Sequence, residues 1–169
     1  MKKYAFLFLL LFFLSACWKD EDKTVDITVM PNETKVGANT FGCLIDGWLY
    51  VGGRYWDVYW MSPYVPSIVF KYNQEGGTLS VSVKVKEDTR IYFTIHNPEE
   101  GKQTSFTAAR LGSEELPDGT VTVTRFDTEK QIISGRFEGG RITHGRFDVQ
   151  YKLLSDEEAC YMYDDVPCY

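Results

Sequence analysis

Leu79-Ser80-Val81-Ser82-Val83-Lys84-Val85-Lys86 is followed by Glu87-Asp88-Thr89, and then by Ile91-Tyr92-Phe93-Thr94-Ile95-His96. In the first run Leu79, Val81, Val83 and Val85 alternate with Ser80, Ser82, Lys84 and Lys86. In the second, Ile91, Phe93 and Ile95 alternate with Tyr92, Thr94 and His96. Successive side chains of a strand point to opposite faces, so each run reads as a strand with one face in a core and the other in water. The polar break between them has room only for a turn, and strands joined that tightly pair antiparallel.

The same pattern extends in both directions. Upstream, Ser67 to Tyr72 reads as a strand closed by the turn Asn73-Gln74-Glu75-Gly76-Gly77. Before it, Thr40 to Ile45 and Trp48 to Val51 flank Asp46-Gly47, a dipeptide that favours a two-residue hairpin. Residues 54–66 read as irregular, with Pro63 and Pro66 as breakers. Downstream, Asn97 to Gly101 reads as a loop, Thr104 to Ala109 as a strand, Pro117-Asp118-Gly119 as a tight turn and Thr120 to Thr124 as another strand.

Ile133, Gly135 and Phe137 share a face, and after the turn Glu138-Gly139-Gly140 so do Gly145, Phe147, Val149 and Tyr151. Ile142 is out of phase with that set, which predicts a bulge at His144-Gly145. Gly135-Arg136-Phe137 and Gly145-Arg146-Phe147 read as facing strands that each use a glycine to let an aromatic ring pack closely. The two Phe rings are expected in the core, and Arg136 beside Arg146 in solvent. Ser155-Asp156-Glu157-Glu158 matches a capping box and marks a short helical turn; no long amphipathic helix is legible. The expected fold is all-β, an antiparallel meander of roughly 8–10 short strands forming a sandwich or a partly closed barrel.

The N-terminus reads as an address. Lys2 and Lys3 precede an apolar run from Ala5 to Leu14, followed by Ser15, Ala16 and Cys17. Positive, apolar and small, in that order, is a secretory signal, and the run is shorter than the ~20 residues a spanning helix needs. Leu14-Ser15-Ala16-Cys17 resembles the bacterial lipobox, which implies cleavage before Cys17 and lipidation of its thiol, palmitate among the chains. One acyl chain binds a membrane only marginally, whereas several anchor it stably. Trp18-Lys19-Asp20-Glu21-Asp22-Lys23 just after Cys17, with a Lys followed by three acids, resembles the export signal of surface lipoproteins of Bacteroidetes, which implies an outer-membrane protein facing outward. The domains so expected are a signal peptide over 1–16, an acidic tether over 17–37, and a single β domain over 38–169 with a Cys-containing tail.

With Cys17 committed to lipid, Cys43, Cys160 and Cys168 remain. An oxidising compartment permits a disulfide. Cys160–Cys168 is the natural short loop and leaves Cys43 as a small buried hydrophobe; a Cys43 bridge to either one is the alternative. The net charge of −6 without a basic cluster argues against nucleic acid as a partner and against a polybasic membrane patch.

Catalytic motifs are absent: there is no Gly-x-Ser-x-Gly, no His-Glu-x-x-His, no phosphate loop and no calcium loop. The two histidines, His96 and His144, read as surface residues, and no Cys/His spacing fits a zinc site. No catalytic residue, metal ligand or cofactor is therefore assigned. A pair of facing carboxylates, as in a glycosidase, is defined by separation in space and not by sequence. The informative cluster is aromatic: Trp48, Tyr50, Tyr55, Trp56, Tyr59, Trp60 and Tyr64. Rings with flat apolar faces and polar tips suit stacking on sugars or a protein partner, with Trp56, Tyr59 and Trp60 as candidate ligand-binding residues. The alternative is that these rings fill an open end of the domain.

Ala38-Asn39-Thr40-Phe41-Gly42-Cys43-Leu44-Ile45-Asp46-Gly47 resembles the N-terminal signature of a family of uncharacterised Bacteroidetes lipoproteins. Val121 to Asp127, Ile132 to Glu138 and Ile142 to Val149 are similar to its C-terminal signature. The resemblance implies a lipid-anchored all-β domain and supplies no catalytic residues. The turn Glu138-Gly139-Gly140 is shorter than that family's, and the aromatic stretch after Val51 and the tail past Tyr151 lie outside its pattern. The sequence so read describes an envelope protein whose partners are the membrane, through lipid, and a glycan or another envelope protein.

Overall fold

A computed structural model describes residues 28–53 and 67–154 of the chain. Eleven strands follow one another: β1 (Thr40–Ile45), β2 (Trp48–Val51), β3 (Ile68–Asn73), β4 (Thr78–Lys86), β5 (Thr89–His96), β6 (Gln103–Leu111), β7 (Glu114–Glu115), β8 (Gly119–Asp127), β9 (Ile132–Gly139), β10 (Ile142–Gln150) and β11 (Lys152–Leu153). They form one sheet in the order β11-β3-β4-β5-β6-β8-β9-β10-β1-β2, with β7 paired to β6. All pairs are antiparallel except β11, which lies parallel to β3. The sheet curls into a half-barrel, so the fold is all-β and of the partly closed kind.

Alternation becomes the inner wall. Leu79, Val81, Val83, Ile91, Phe93 and Ile95 are all at most 3% exposed. The β4–β5 register pairs Val81 with Phe93 and Val83 with Ile91. Opposite walls meet through aromatic rings: Phe41 of β1 and Phe93 of β5 each touch Phe137 of β9, with centroids 5.3 Å and 5.1 Å away. Phe106 lies 5.2 Å from Phe93, and Phe70 lies 5.3 Å from Phe147. Each such pair adds ~0.5–1.5 kcal/mol beyond the area it buries. The rings fill the interior.

The turn chemistry follows the sequence closely at Asp46-Gly47, where both residues take positive φ (51° and 80°), the geometry of a type I′ hairpin. The expected bulge is present: the β9–β10 register shifts between Ile142 and Gly145, and His144 has φ 55°. One turn falls elsewhere. The chain reverses at Gly112-Ser113 and makes the short β7, while Leu116 to Asp118 is a connector and Gly119 already belongs to β8. The reason is a bulge in β6 at Ala108 (φ 56°), whose N–H donates to Asp118 Oδ1 at 3.1 Å. Asp118 thus serves a neighbouring strand instead of closing a turn of its own. The outer face of β4 also departs from expectation, because Ser82 and Lys84 are buried; Arg90 Nη1 donates to Ser82 Oγ at 3.1 Å.

Residues 30–37, which the sequence assigns to the tether, are bound to the outer wall. They cross β1, β10 and β9 as a strap. Gly42 makes room for it: a Cβ there would sit 2.6 Å from Pro31 Cδ. Arg146 Nη1 donates to the Pro31 carbonyl at 3.0 Å, Arg136 forks onto the Glu33 carboxylate, and Arg125 donates to the Lys35 carbonyl. Asp148 clamps the far end of the strap. It accepts from Thr34 Oγ1 (2.5 Å), from the N–H groups of Val36 (3.0 Å), Gly37 (2.8 Å) and Ala38 (3.1 Å), and from Ser134 Oγ (2.7 Å). This explains two polar residues buried on the outward face, Asp148 at 1% and Ser134 at 0% exposure.

Candidate functional site

Two surfaces of the barrel carry chemistry. The first is the β2 end of the sheet. The Asp46-Gly47 hairpin returns the chain as β2, which has a single strand neighbour among the described residues, β1. Trp48 opens that strand and is 76% exposed, the largest exposure of any large hydrophobic residue among those described. Two residues on, Tyr50 packs against the core, and the Lys86 ammonium stands 4.8 Å from its ring centroid. Val51 is buried and Gly53 (φ 103°) turns the chain away. Trp56, Tyr59 and Trp60 belong to the stretch that follows and lie outside the described residues, as do Cys17, Cys160, Cys168 and the capping box at 155–158.

The second surface is a groove of about 740 Å³ on the outer wall of β8, β9 and β10, bordered by the strap. Thr122, Arg136 and Arg146 are register partners across the three strands. Thr120 and Glu138 pair in the next row, and Thr143 and His144 rise beside them at the bulge. Glu33 forms one side. Its carboxylate is held below its ordinary pKa chiefly by the hydrogen bond from Arg136; burial pushes the other way, and the Arg136 charge adds a lesser lowering. The Arg136 guanidinium is raised in turn by the same bond. Glu33 is therefore an ionised partner and not a proton donor.

Cys43 is buried in the barrel wall, and burial alone pushes its thiol up to about 12, so it is not a nucleophile at neutral pH. His96 is half-buried, with Nε2 2.8 Å from Thr107 Oγ1. His144 is exposed at the groove. Among the described residues no three His, Cys, Asp or Glu side chains converge as a metal site. No protein-family model matches the sequence, and neither the curated proteins nor the solved structures contain a significant match.

Sequence reasoning placed Trp48 correctly at the start of a strand and Arg136 beside Arg146 on the outer face. It missed the strap and the groove. The signal was there in part: Asp148 sits on the outward phase of β10, where nothing in the local sequence says that a segment more than a hundred residues earlier covers it.

Proposed function

We propose that this protein is a non-catalytic, lipid-anchored binding module of the bacterial outer-membrane surface, held through Cys17 and presenting Trp48 with Trp56, Tyr59 and Trp60 to a glycan or protein ligand. The observation that carries this reading is Trp48: an indole 76% exposed at the end of the sheet, at the head of the chain's aromatic stretch. Among the described residues the interior is a packed core of Phe, Ile, Val and Leu side chains, and this reading puts the ligand on the outside. An exposed indole loses solvation favourably when a sugar face or an apolar side chain covers it. The lipobox, the acidic run after Cys17 and the resemblance to Bacteroidetes surface lipoproteins support the location.

A glycan array and a pull-down from envelope extracts, run with the wild type and with Trp48→Ala, Trp56→Ala and Trp60→Ala, test the proposal. Retention of a ligand by the wild type and its loss in the variants is the expected result; undiminished binding in all three removes the site. The second reading, a structural lipoprotein with a permanent protein partner, is favoured by the free outer edge of β2 among the described residues, since an unpaired strand edge is a template for another chain. Cross-linking in intact cells separates the two: a protein that stays monomeric contradicts the structural reading.

A further inference from the structure

We propose that the groove on the outer wall of β8–β10 is a second binding site, that its ligand is a carboxylate-bearing oligosaccharide, and that Glu33 of the strap occupies its anion position when the ligand is absent. Arg136 presents two nitrogens to Glu33: Nε donates to Oε1, and Nη2 donates to Oε2 at 2.6 Å. That planar fork is the geometry by which arginine recognises a carboxylate, with two parallel bonds that fix orientation as well as charge. The pair is not sealed: the Arg136 and Glu33 side chains are 66% and 42% exposed. A carboxylate from solution can reach the guanidinium and take the place of Glu33. The strap need not leave the barrel for this, because Asp148 holds it from Thr34 onward, beyond the residue that moves.

The rest of the lining selects a sugar over other anions. Thr120 and Thr122 project outward from one strand, ~7 Å apart at two residues' rise, and offer hydroxyls along the groove floor. The Glu138 carboxylate can accept hydrogen bonds from a ligand, and His144 reaches the rim from a left-handed backbone position at the bulge. Hydroxyls, an acceptor carboxylate and a guanidinium suit a ligand rich in hydroxyls with a single negative group per ring. A polyphosphate or nucleic acid meets Glu138 and a chain of net charge −6. An acidic peptide finds no free backbone to pair with, since β9 is bonded on both sides, and the lining contains no apolar side-chain pocket apart from the buried Phe137 on its floor.

Calorimetric titration of the full chain at low ionic strength tests this, with oligomers of galacturonate, glucuronate and mannuronate as probes and with neutral galactose oligomers and oligoglutamate as comparisons. At least one uronate binds, neutral oligomers and oligoglutamate bind more weakly, and Arg136→Gln weakens uronate binding by roughly tenfold to a hundredfold, the range for losing hydrogen bonds to a charged group. Glu33→Gln, which removes the internal competitor and leaves the strap clamped at Asp148, tightens it several-fold. Both substitutions are on exposed side chains, and unchanged melting temperatures show that the fold is kept. Failure of every uronate to bind Glu33→Gln, unchanged affinity in Arg136→Gln, or oligoglutamate binding as well as the best uronate overturns the assignment.

Discussion

Gly135 lies directly opposite Phe147 in the β9–β10 ladder, and a Cβ on Gly135 would stand 2.9 Å from Phe147 Cζ. The relation is reciprocal two rungs away, where Gly145 faces Phe137 and a Cβ would meet Phe137 Cδ1 at 2.7 Å. Each ring lies over the glycine of the other strand, and the two rings meet with centroids 6.1 Å apart. The glycines are thus spacers that let two phenyl rings sit flat against a barrel wall.

Gly135→Ala and Gly145→Ala should each destabilise the domain by about 1–3 kcal/mol, the usual cost of forcing atoms into a packed core. Both added methyls also press on backbone, the Thr122 and Phe137 carbonyls respectively, so the ring cannot relieve the clash by rotating alone. Urea unfolding measures the loss. A change within about 0.5 kcal/mol, typical of surface sites, would contradict the packing described.

Asp148→Asn removes the charge on which one hydroxyl and two backbone N–H groups of the strap, the Ala38 N–H and the Ser134 hydroxyl converge, and its amide presents one oxygen in place of two. We expect a loss of about 2–4 kcal/mol, because several buried donors are left without an acceptor. Hydrogen exchange should show the amides of Val36, Gly37 and Ala38 losing protection before the β4–β5 core does. Equal protection in wild type and variant would mean that the clamp does not hold the strap.

The same carboxylate sets an acid limit. Burial pushes its pKa up, but the hydrogen bonds from Thr34, Ser134, Ala38 and Gly37 outweigh it and bring it from 3.8 to about 2. A folded-state value below the unfolded one gives stability that is complete above the unfolded pKa and is lost as pH falls through the folded one. Asp148 should therefore contribute on the order of 2 kcal/mol above pH ~4, fading toward pH ~2. Chemical denaturation across that window, compared with Asp148→Asn, isolates the contribution. A variant that keeps the wild-type slope would assign it to other groups.

Cys43 should be silent to thiol reagents in the folded protein, since burial holds it protonated and out of contact. Alkylation at neutral pH should proceed at the rate at which the barrel opens and become fast only in denaturant. Rapid labelling of Cys43 in the native state would contradict its place in the wall.

The strands were legible because alternation reports a local property, the two faces of a half-buried ribbon. Leu79 to Val85 and Ile91 to Ile95 carry it without interruption, and the phase slip at Ile142 was enough to locate the bulge at His144. The strap was not legible, because what holds it is tertiary. Asp148 alternates like any outward residue, and Thr34 to Ala38 have no period of their own; only their meeting makes both ordered. Pro117-Asp118-Gly119 carried a strong turn signal, yet Asp118 is drawn to the Ala108 N–H, a contact set by the β6 bulge. The groove failed to show for the same reason as the strap: Arg136 and Glu33 are over a hundred residues apart. Trp48 could be placed on a strand by pattern, but its exposure follows from the position of β2 at the end of the sheet.

The central claim is that indoles of this protein are offered to solvent for a ligand to cover. Collisional quenching of tryptophan emission by iodide, with wild type and Trp48→Phe compared in the folded state, tests it most directly. In a Trp18→Phe background, which removes the tether indole, the account predicts a quenchable fraction that falls in Trp48→Phe but persists, as the proposal that Trp56 and Trp60 meet a ligand requires, and that shrinks again when a ligand from the array is added. A quenchable fraction that vanishes entirely in Trp48→Phe, or one that no captured ligand alters, would contradict it.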